Sequence, residues 1–373
     1  MKKLLGLLLA VFMVFALVGC GSSESGEAAA PAEEGYRIAI VTDVGQLNDG
    51  GFNQGTYEGA KAYAEANGIT YKYYQPANGS DATDDDRVAA MRQAIENGAE
   101  VIVTPGFLQE TAIRTVAAES PEVKFVFVDG YTLDLENVTA ISYQEEQSGF
   151  FAGYAAVKDG YTKLGGTFGG AGGNPACNRF AYGYAQGANA AAAELGETVD
   201  VKISFQNGAA FSASPELLTQ ISGWYANGTE VVFACGGSML SSVIAAAQEN
   251  GNAKVIGVDV DQAGLYDGII TSAVKGLAPS VEKILGEWNN GEWDAKLANK
   301  ESKLGVADNA TGIPTASGSW RFETFTTDEY NALFADVVSG KVAIKNDVAA
   351  DMSGADAWTA LQAECTSINL TIE

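Results

Sequence analysis

The chain has 373 residues, with 47 Asp and Glu against 22 Lys and Arg and a formal charge of −25. Such a surface repels polyanions, which excludes a DNA or RNA partner and points to a neutral or cationic small molecule. The absence of histidine and the four cysteines without CxxC spacing exclude His/Cys zinc sites, Ser-His-Asp triads and Cys-His pairs. Asp259-x-Asp261 hints at a calcium loop, yet Ile270 stands where a bidentate Glu is needed; neither a metal nor a cofactor is expected.

The N-terminus reads Met1-Lys2-Lys3 followed by an apolar run from Leu4 to Val18, broken only by Gly6. That run is shorter than the roughly 20 residues a spanning helix needs, so residues 1–19 are read as an export signal. It closes on Leu17-Val18-Gly19-Cys20, which resembles the bacterial lipobox and implies lipidation of Cys20 and attachment to a membrane on its extracytoplasmic side. Residues 20–35 then hold no large apolar side chain and are read as a disordered tether. Cys177, Cys235 and Cys365 remain, and a Cys177–Cys235 pairing is left open.

From Tyr36 onward short apolar runs alternate with amphipathic stretches. Strand Ile38–Val41, helix Gly55–Asn67, strand Thr70–Tyr74, helix Asp86–Asn97 and strand Val101–Val103 are expected in turn. Strands alternating with helices predict a parallel sheet covered on both faces. A second copy runs from Lys163 to Asp259, with helices near Phe180–Leu195, Pro215–Ala226 and Met239–Asn250. A strand at Ile269–Ala273, a helix at Pro279–Trp288 and a strand near Lys303–Ala307 follow.

The copies keep register. Asn97-Gly98-Ala99-Glu100-Val101-Ile102-Val103 returns as Asn227-Gly228-Thr229-Glu230-Val231-Val232-Phe233, and Lys124–Asp129 returns as Lys254–Asp259, each 130 residues on. Phe52, Gly55, Gly59 and Gly68 recur as Phe180, Gly183, Gly187 and Gly196 at a spacing of 128. The expected architecture is therefore α/β, with two doubly wound lobes facing each other across a cleft.

In open parallel sheets ligands bind beyond the carboxyl ends of the strands. Asp43, Asp129 and Asp259 each close an apolar strand, and their carboxylates suit ribose hydroxyls or ring N–H groups, although Asp at such ends also caps helices. Phe52, beside Asn53 in a glycine-rich polar loop, and Phe211, in a similar setting in the second copy, could clamp a flat group. Lys275 ends an apolar strand, where it could donate to a hydroxyl or pair with a cleft carboxylate. The glycine run Gly165–Gly173 lacks GxGxxG spacing and is read as a loop that lets backbone approach the ligand.

Several segments together resemble the basic membrane protein family of lipoprotein solute receptors, which includes purine nucleoside receptors of ABC transporters. They are DVGQLNDGGFNQGTYEGA (43–60), YQEEQSGFFAGYAA (143–156), RFAYGYAQGA (179–188), FACGGS (233–238), VIGVDVDQ (255–262) and TSAVK (271–275). The resemblance implies a type I periplasmic-binding-protein fold with a hinge of three crossovers. Lobe 1 would comprise 36–142 and 273–304, and lobe 2 would comprise 143–272 and 305–373, the strand after Asp259 crossing back to lobe 1. It also implies a non-enzymatic receptor that delivers a nucleoside, purine preferred, to an ABC permease and its ATPase. Carried over, Phe52 and Phe211 would stack on the base. Asp43 and Asp129 would be polar contacts near the base, and Gly236, Asp259 and Lys275 would hold the sugar, with Asn53 also in the ligand-binding set. The rivals are a receptor for another flat or polyol solute, such as riboflavin or a sugar, and a secreted nucleoside hydrolase.

Overall fold

The computed structural model describes residues 35–44, 47–251, 253–346, 352 and 355–373. The signal segment, Cys20 and nearly all of the tether lie outside them.

The first copy runs β1 (Ile38–Val41), α1 (Phe52–Asn67), β2 (Tyr71–Tyr74), α2 (Asp84–Glu96), β3 (Val101–Pro105), α3 (Glu110–Glu119), β4 (Lys124–Val128) and β5 (Val138–Tyr143). The second runs α4 (Glu145–Lys158), β6 (Lys163–Phe168), α5 (Pro175–Leu195), β7 (Val199–Ser204), α6 (Pro215–Ala226), β8 (Val231–Cys235), α7 (Met239–Glu249), β9 (Lys254–Asp259) and β10 (Ile269–Lys275). After these come α8 (Leu277–Asn289), β11 (Lys300–Leu304), β12 (Thr311–Gly312), α9 (Thr327–Val338), α10 (Ala355–Glu364) and β13 (Ile368–Ile372).

One sheet is ordered β11-β5-β4-β3-β1-β2 and the other β12-β10-β9-β8-β6-β7-β13. Five strands of each copy thus hold the same positions. All pairings are parallel except β10 with β12. The apolar runs in β1, β3 and β8 are buried throughout, because helices cover both faces of each sheet. Helix starts follow local chemistry: Thr83 and Asp86 form a reciprocal capping box before α2, and Ser214 caps α6 ahead of Pro215 at its first position.

The tail differs from expectation. Ile269–Lys275 pairs with β9 and stays in the second sheet, so helix α8 makes the crossing and packs on α1. Lys300–Leu304 joins the first sheet beside β5, and the chain returns to the second lobe only after it. The sheets therefore divide the chain after Tyr143, after Lys275 and after Leu304. The last elements, α9, α10 and β13, were not foreseen. They pack on lobe 2 through buried Trp358, whose Nε1 donates to the Met352 carbonyl, and through β13 pairing with β7.

Helices α4 and α5 cross at backbone distance. A Cβ added at Gly149, Gly153, Gly183 or Gly187 would lie within 2.2 Å of a carbonyl oxygen on the facing helix. Two of these glycines, Gly183 and Gly187, belong to the repeat, where the first copy has Gly55 and Gly59 pressed against Val260 and Ala278. Helix packing, not turn geometry, explains that part of the pattern.

Candidate ligand-binding cleft

The carboxyl ends of both sheets open on one cavity of ≈ 510 Å³, within the ordinary range of about 300–1,000 Å³ for small-molecule sites. All eight residues singled out in the sequence line it: Asp43, Phe52, Asn53 and Asp129 from lobe 1, and Phe211, Gly236, Asp259 and Lys275 from lobe 2.

Asp129 and Asp259 occupy left-handed backbone conformations, with φ of 58° and 68°. A non-glycine residue held there is strained, and such strain concentrates at functional sites. Both carboxylates face Lys275, whose Nζ lies 2.5 Å from Asp129 Oδ2, 3.3 Å from Asp259 Oδ1 and 3.6 Å from Glu145 Oε1. Glu145, fully buried at the start of α4, also holds the Arg179 Nε at 2.5 Å. Burial works to lower the Lys275 pKa, but the three carboxylates raise it well above the usual lysine value, so the ammonium stays charged. Burial likewise pushes Asp129 up to about 7, against the pull of Lys275 and with the help of Glu145 and Asp259. Two of the three carboxylates, Asp129 and Asp259, answer to Lys275 alone, while Glu145 shares it and also has Arg179, and among the described residues lining the cavity Lys275 is the one cation.

Asp43 closes β1, and a Cβ on Gly106 would sit 2.1 Å from its Oδ2. Gly106, at φ 101°, thus makes the space that Asp43 occupies. Burial raises the pKa of Asp43 and of Asp49. Asp49 accepts from the backbone N–H groups of Gly51, Asn53 and Gln54, which anchors the turn into α1. Asn53 Nδ2 donates to Asp49 Oδ2 at 3.2 Å and reaches Asp43 Oδ1 at 3.5 Å. Among the described residues, Asn53 Oδ1 and Asp129 Oδ1 are buried acceptors without a hydrogen-bond partner. The cleft therefore asks a ligand for donors.

The aromatic walls come from opposite lobes. Phe52, in the first turn of α1, lies with its ring centroid 4.8 Å from Lys275 Nζ. Phe211 sits at φ 54°, with its ring against Gly169 and Gly170, and meets Phe107 of lobe 1 edge-on at 6.5 Å. The glycine run was expected to let backbone approach the ligand. Gly165 and Gly166 instead lie within β6 against Trp224 and Phe168, and Gly169 and Gly170 make room for the Phe211 ring.

The sequence did not single out Phe180, Asn174, Cys177 or Phe107, which also line the cavity, nor Glu145 and Arg179 behind it. Phe180 was within reach, since it is the repeat partner of Phe52 and its ring centroid lies 5.5 Å from Lys275 Nζ. Cys177, Cys235 and Cys365 are free thiols, and Cys177 Sγ lies 3.9 Å from the Cys235 carbonyl oxygen.

Residues 37–333 match the Bmp family, described as ABC transporter substrate-binding protein PnrA-like. The chain is 29% identical over 330 residues to the ABC transporter nucleoside-binding protein BmpA of Lactococcus lactis subsp. cremoris, covering 81% of this chain and 90% of that protein. It is 31% identical over 229 residues to basic membrane protein B of Borreliella burgdorferi, covering 59% of this chain and 64% of that one. Among solved structures it is similar to an ABC transporter solute-binding protein from Aeropyrum pernix K1, with a TM-score of 0.68 at 19% identity over 88% of this chain and 96% of that chain. A second, from Conexibacter woesei, gives 0.63 at 21% identity over 83% and 98%. These neighbours and the paired parallel sheets show a type I periplasmic-binding-protein fold.

Proposed function

The chain belongs to the PnrA-like family of ABC transporter substrate-binding proteins, and from that membership we propose that it captures a nucleoside, a purine in preference, between its lobes. The observation that carries this reading is a cleft of hydrogen-bond acceptors set between two aromatic side chains, with Phe52 on one lobe and Phe211 on the other. A purine nucleoside offers a flat base to the rings, ring N–H donors to Asp129 and Asn53, and ribose hydroxyls to Asp259. Stacking of this kind is worth about 1–3 kcal/mol per base. A phosphorylated ligand would bring its charge to a cavity whose lysine is already shared among three carboxylates.

The receptor binds without chemistry and hands its ligand to an ABC permease. It is held at the extracytoplasmic face of the membrane through lipidated Cys20, and the tether of residues 20–35 lets the body stand off the surface. Mass spectrometry of the intact protein expressed in a lipoprotein-processing bacterium should find acylated Cys20 as its first residue.

Inosine, guanosine and adenosine should raise the melting temperature of the delipidated body by binding the folded state, and their 5′-monophosphates should not. If none of the nucleosides shifts the transition while riboflavin or a sugar does, the ligand class is wrong. Ribose released from incubated inosine would assign the fold a hydrolase activity instead.

A further inference from the structure

Outside the cavity, a second set of contacts joins the lobes. Gln262 stands in the connection between β9 and β10 and is 1% exposed. Its Nε2 donates to the Gly50 carbonyl of lobe 1 at 2.8 Å, its Oε1 accepts from Val258 N at 2.7 Å, and its own N–H donates to Ser272 Oγ. Every polar end of this side chain is thus used, and one of the bonds crosses between lobes. Gly257, inside β9, makes the room, since a Cβ there would lie 2.5 Å from Gln262 Oε1.

Apolar contacts flank the bond. Val260 packs against the lobe 1 core beside Gly55, and Leu265, 56% exposed, covers Gly50. Gly50 itself is tied to α1, since its N–H donates to Gln54 Oε1. The turn that Gln262 grips is therefore the one that leads into Phe52 and Asn53. None of Gln262, Val260, Leu265 or Gly50 lines the cavity.

We propose that Gln262 is an interlobe latch: a positioning residue that holds the Gly50–Asn53 turn of lobe 1 against lobe 2 and so scales affinity for every ligand by one common factor. A ligand that needs the closed form binds with an apparent affinity reduced by the fraction of molecules closed. A bond that favours closure without touching the ligand raises that fraction equally for all ligands. The proposal rests on the cleft being the ligand site but does not need the ligand to be a nucleoside.

The test uses Gln262→Glu, which keeps the acceptor for Val258 N–H and loses the donor to Gly50, together with Leu265→Ser at the exposed edge. Spin labels on exposed positions of the two lobes report their separation in the ligand-free body. Calorimetry with inosine, guanosine and adenosine reports affinity. At pH 8, Gln262→Glu should widen the separation and weaken each bound nucleoside by about 10-fold, with their affinity ratios unchanged. Leu265→Ser should move both readouts the same way by a smaller factor. A lowered melting temperature with unchanged separation and affinity would make Gln262 a support of lobe 2 alone and overturn the proposal. A loss confined to one base would overturn it too, by making Gln262 a ligand contact. Should no nucleoside bind the unmodified protein, the functional proposal fails, and the lobe separation alone decides the latch.

Discussion

Gly169→Ala tests the aromatic clamp without altering any side chain in it. Gly169 has φ −70° and ψ 167°, an extended conformation that alanine adopts freely, so the backbone resists nothing. The added methyl would lie 2.5 Å and 2.6 Å from Phe211 Cδ1 and Cε1. Carbon atoms pack at about 3.5–4.0 Å, so the ring must move by roughly 1 Å or more. It cannot retreat with its backbone, because Phe211 N donates to the Gly208 carbonyl and the Phe211 carbonyl accepts from Ser238 N. The ring therefore swings toward the cavity and loses its stacking position. Forfeiting about 1–3 kcal/mol of base stacking weakens inosine binding by roughly 5- to 150-fold. The ligand-free melting temperature should fall by no more than about 2–4 °C, since the open cavity relieves the strain. Isothermal titration of Gly169→Ala, Phe211→Ala and the double variant closes the cycle. In the Phe211→Ala background the methyl meets no ring, so its penalty should vanish. Binding within twofold of the unmodified protein for Gly169→Ala, or a penalty that persists in full without the ring, refutes the reasoning.

The buried carboxylates predict a pH dependence. Burial pushes both Asp129 and Glu146 up to about 7, above unfolded values near about 4. Their folded-state pKa values are raised, so their contribution is fully present below about pH 4 and is lost as pH rises through 7. The ligand-free melting temperature should fall from pH 5 to pH 8, with a shallower slope in Glu146→Gln; a rise across that window would contradict the assignment. Lys275→Met should destabilise the body by about 3–5 kcal/mol at pH 8, because Asp129, Asp259 and Glu145 lose their shared cation, and chemical denaturation should show part of that loss recovered at pH 5, where Asp129 can take up a proton. Gly187→Ala should cost about 3 kcal/mol, the upper end of overpacking, because its methyl would lie 2.0 Å from the Phe150 carbonyl oxygen. An unchanged denaturation midpoint would mean that α4 and α5 separate more easily than their backbone contact implies.

The parts of the fold legible in the sequence were those whose signal is local. The helix expected near Pro215–Ala226 has those bounds in the structure, where the Ser214 cap and Pro215 fix its start locally. The strands β3, β4, β8 and β9 announced themselves as apolar runs, since a parallel strand buried on both faces has no polar alternation to dilute it. Helix α4 gave no such sign. Eleven of its fourteen residues are buried, so it lacks a solvated face, and only its likeness to a family segment marked it. In the cleft, the strand-end rule located Asp43, Asp129 and Asp259. Glu145 escaped because its role follows from burial beside Lys275, far away in sequence, and Arg179 escaped because it reaches the cluster only through Glu145.

Lys275 has no evident partner when the repeat is read at a constant offset, and the sheets supply one. In the first sheet Val128 pairs with Ile141, and in the second its counterpart Val258 pairs with Ala273. Ile141 is therefore equivalent to Ala273, and two residues further on Tyr143 is equivalent to Lys275. The offset here is 132 rather than 130. One of the two extra residues enters at the irregularity between Ile269 and Thr271, where the β9–β10 register shifts. A bulge adds a residue to one strand and leaves the ladder beyond it intact. Comparison at a fixed spacing thus fails while the structural equivalence survives. The equivalence has a chemical consequence. Where lobe 2 places an ammonium, lobe 1 places a phenol whose hydroxyl bonds Ser280 and whose ring lies 5.5 Å from Lys275 Nζ. One copy supplies the cation that gathers Asp129, Asp259 and Glu145, and the other supplies an aromatic face behind it. The duplicated strand ends bring the carboxylates together, and this one position, changed from phenol to ammonium between copies, sets the balance of charge in the cleft.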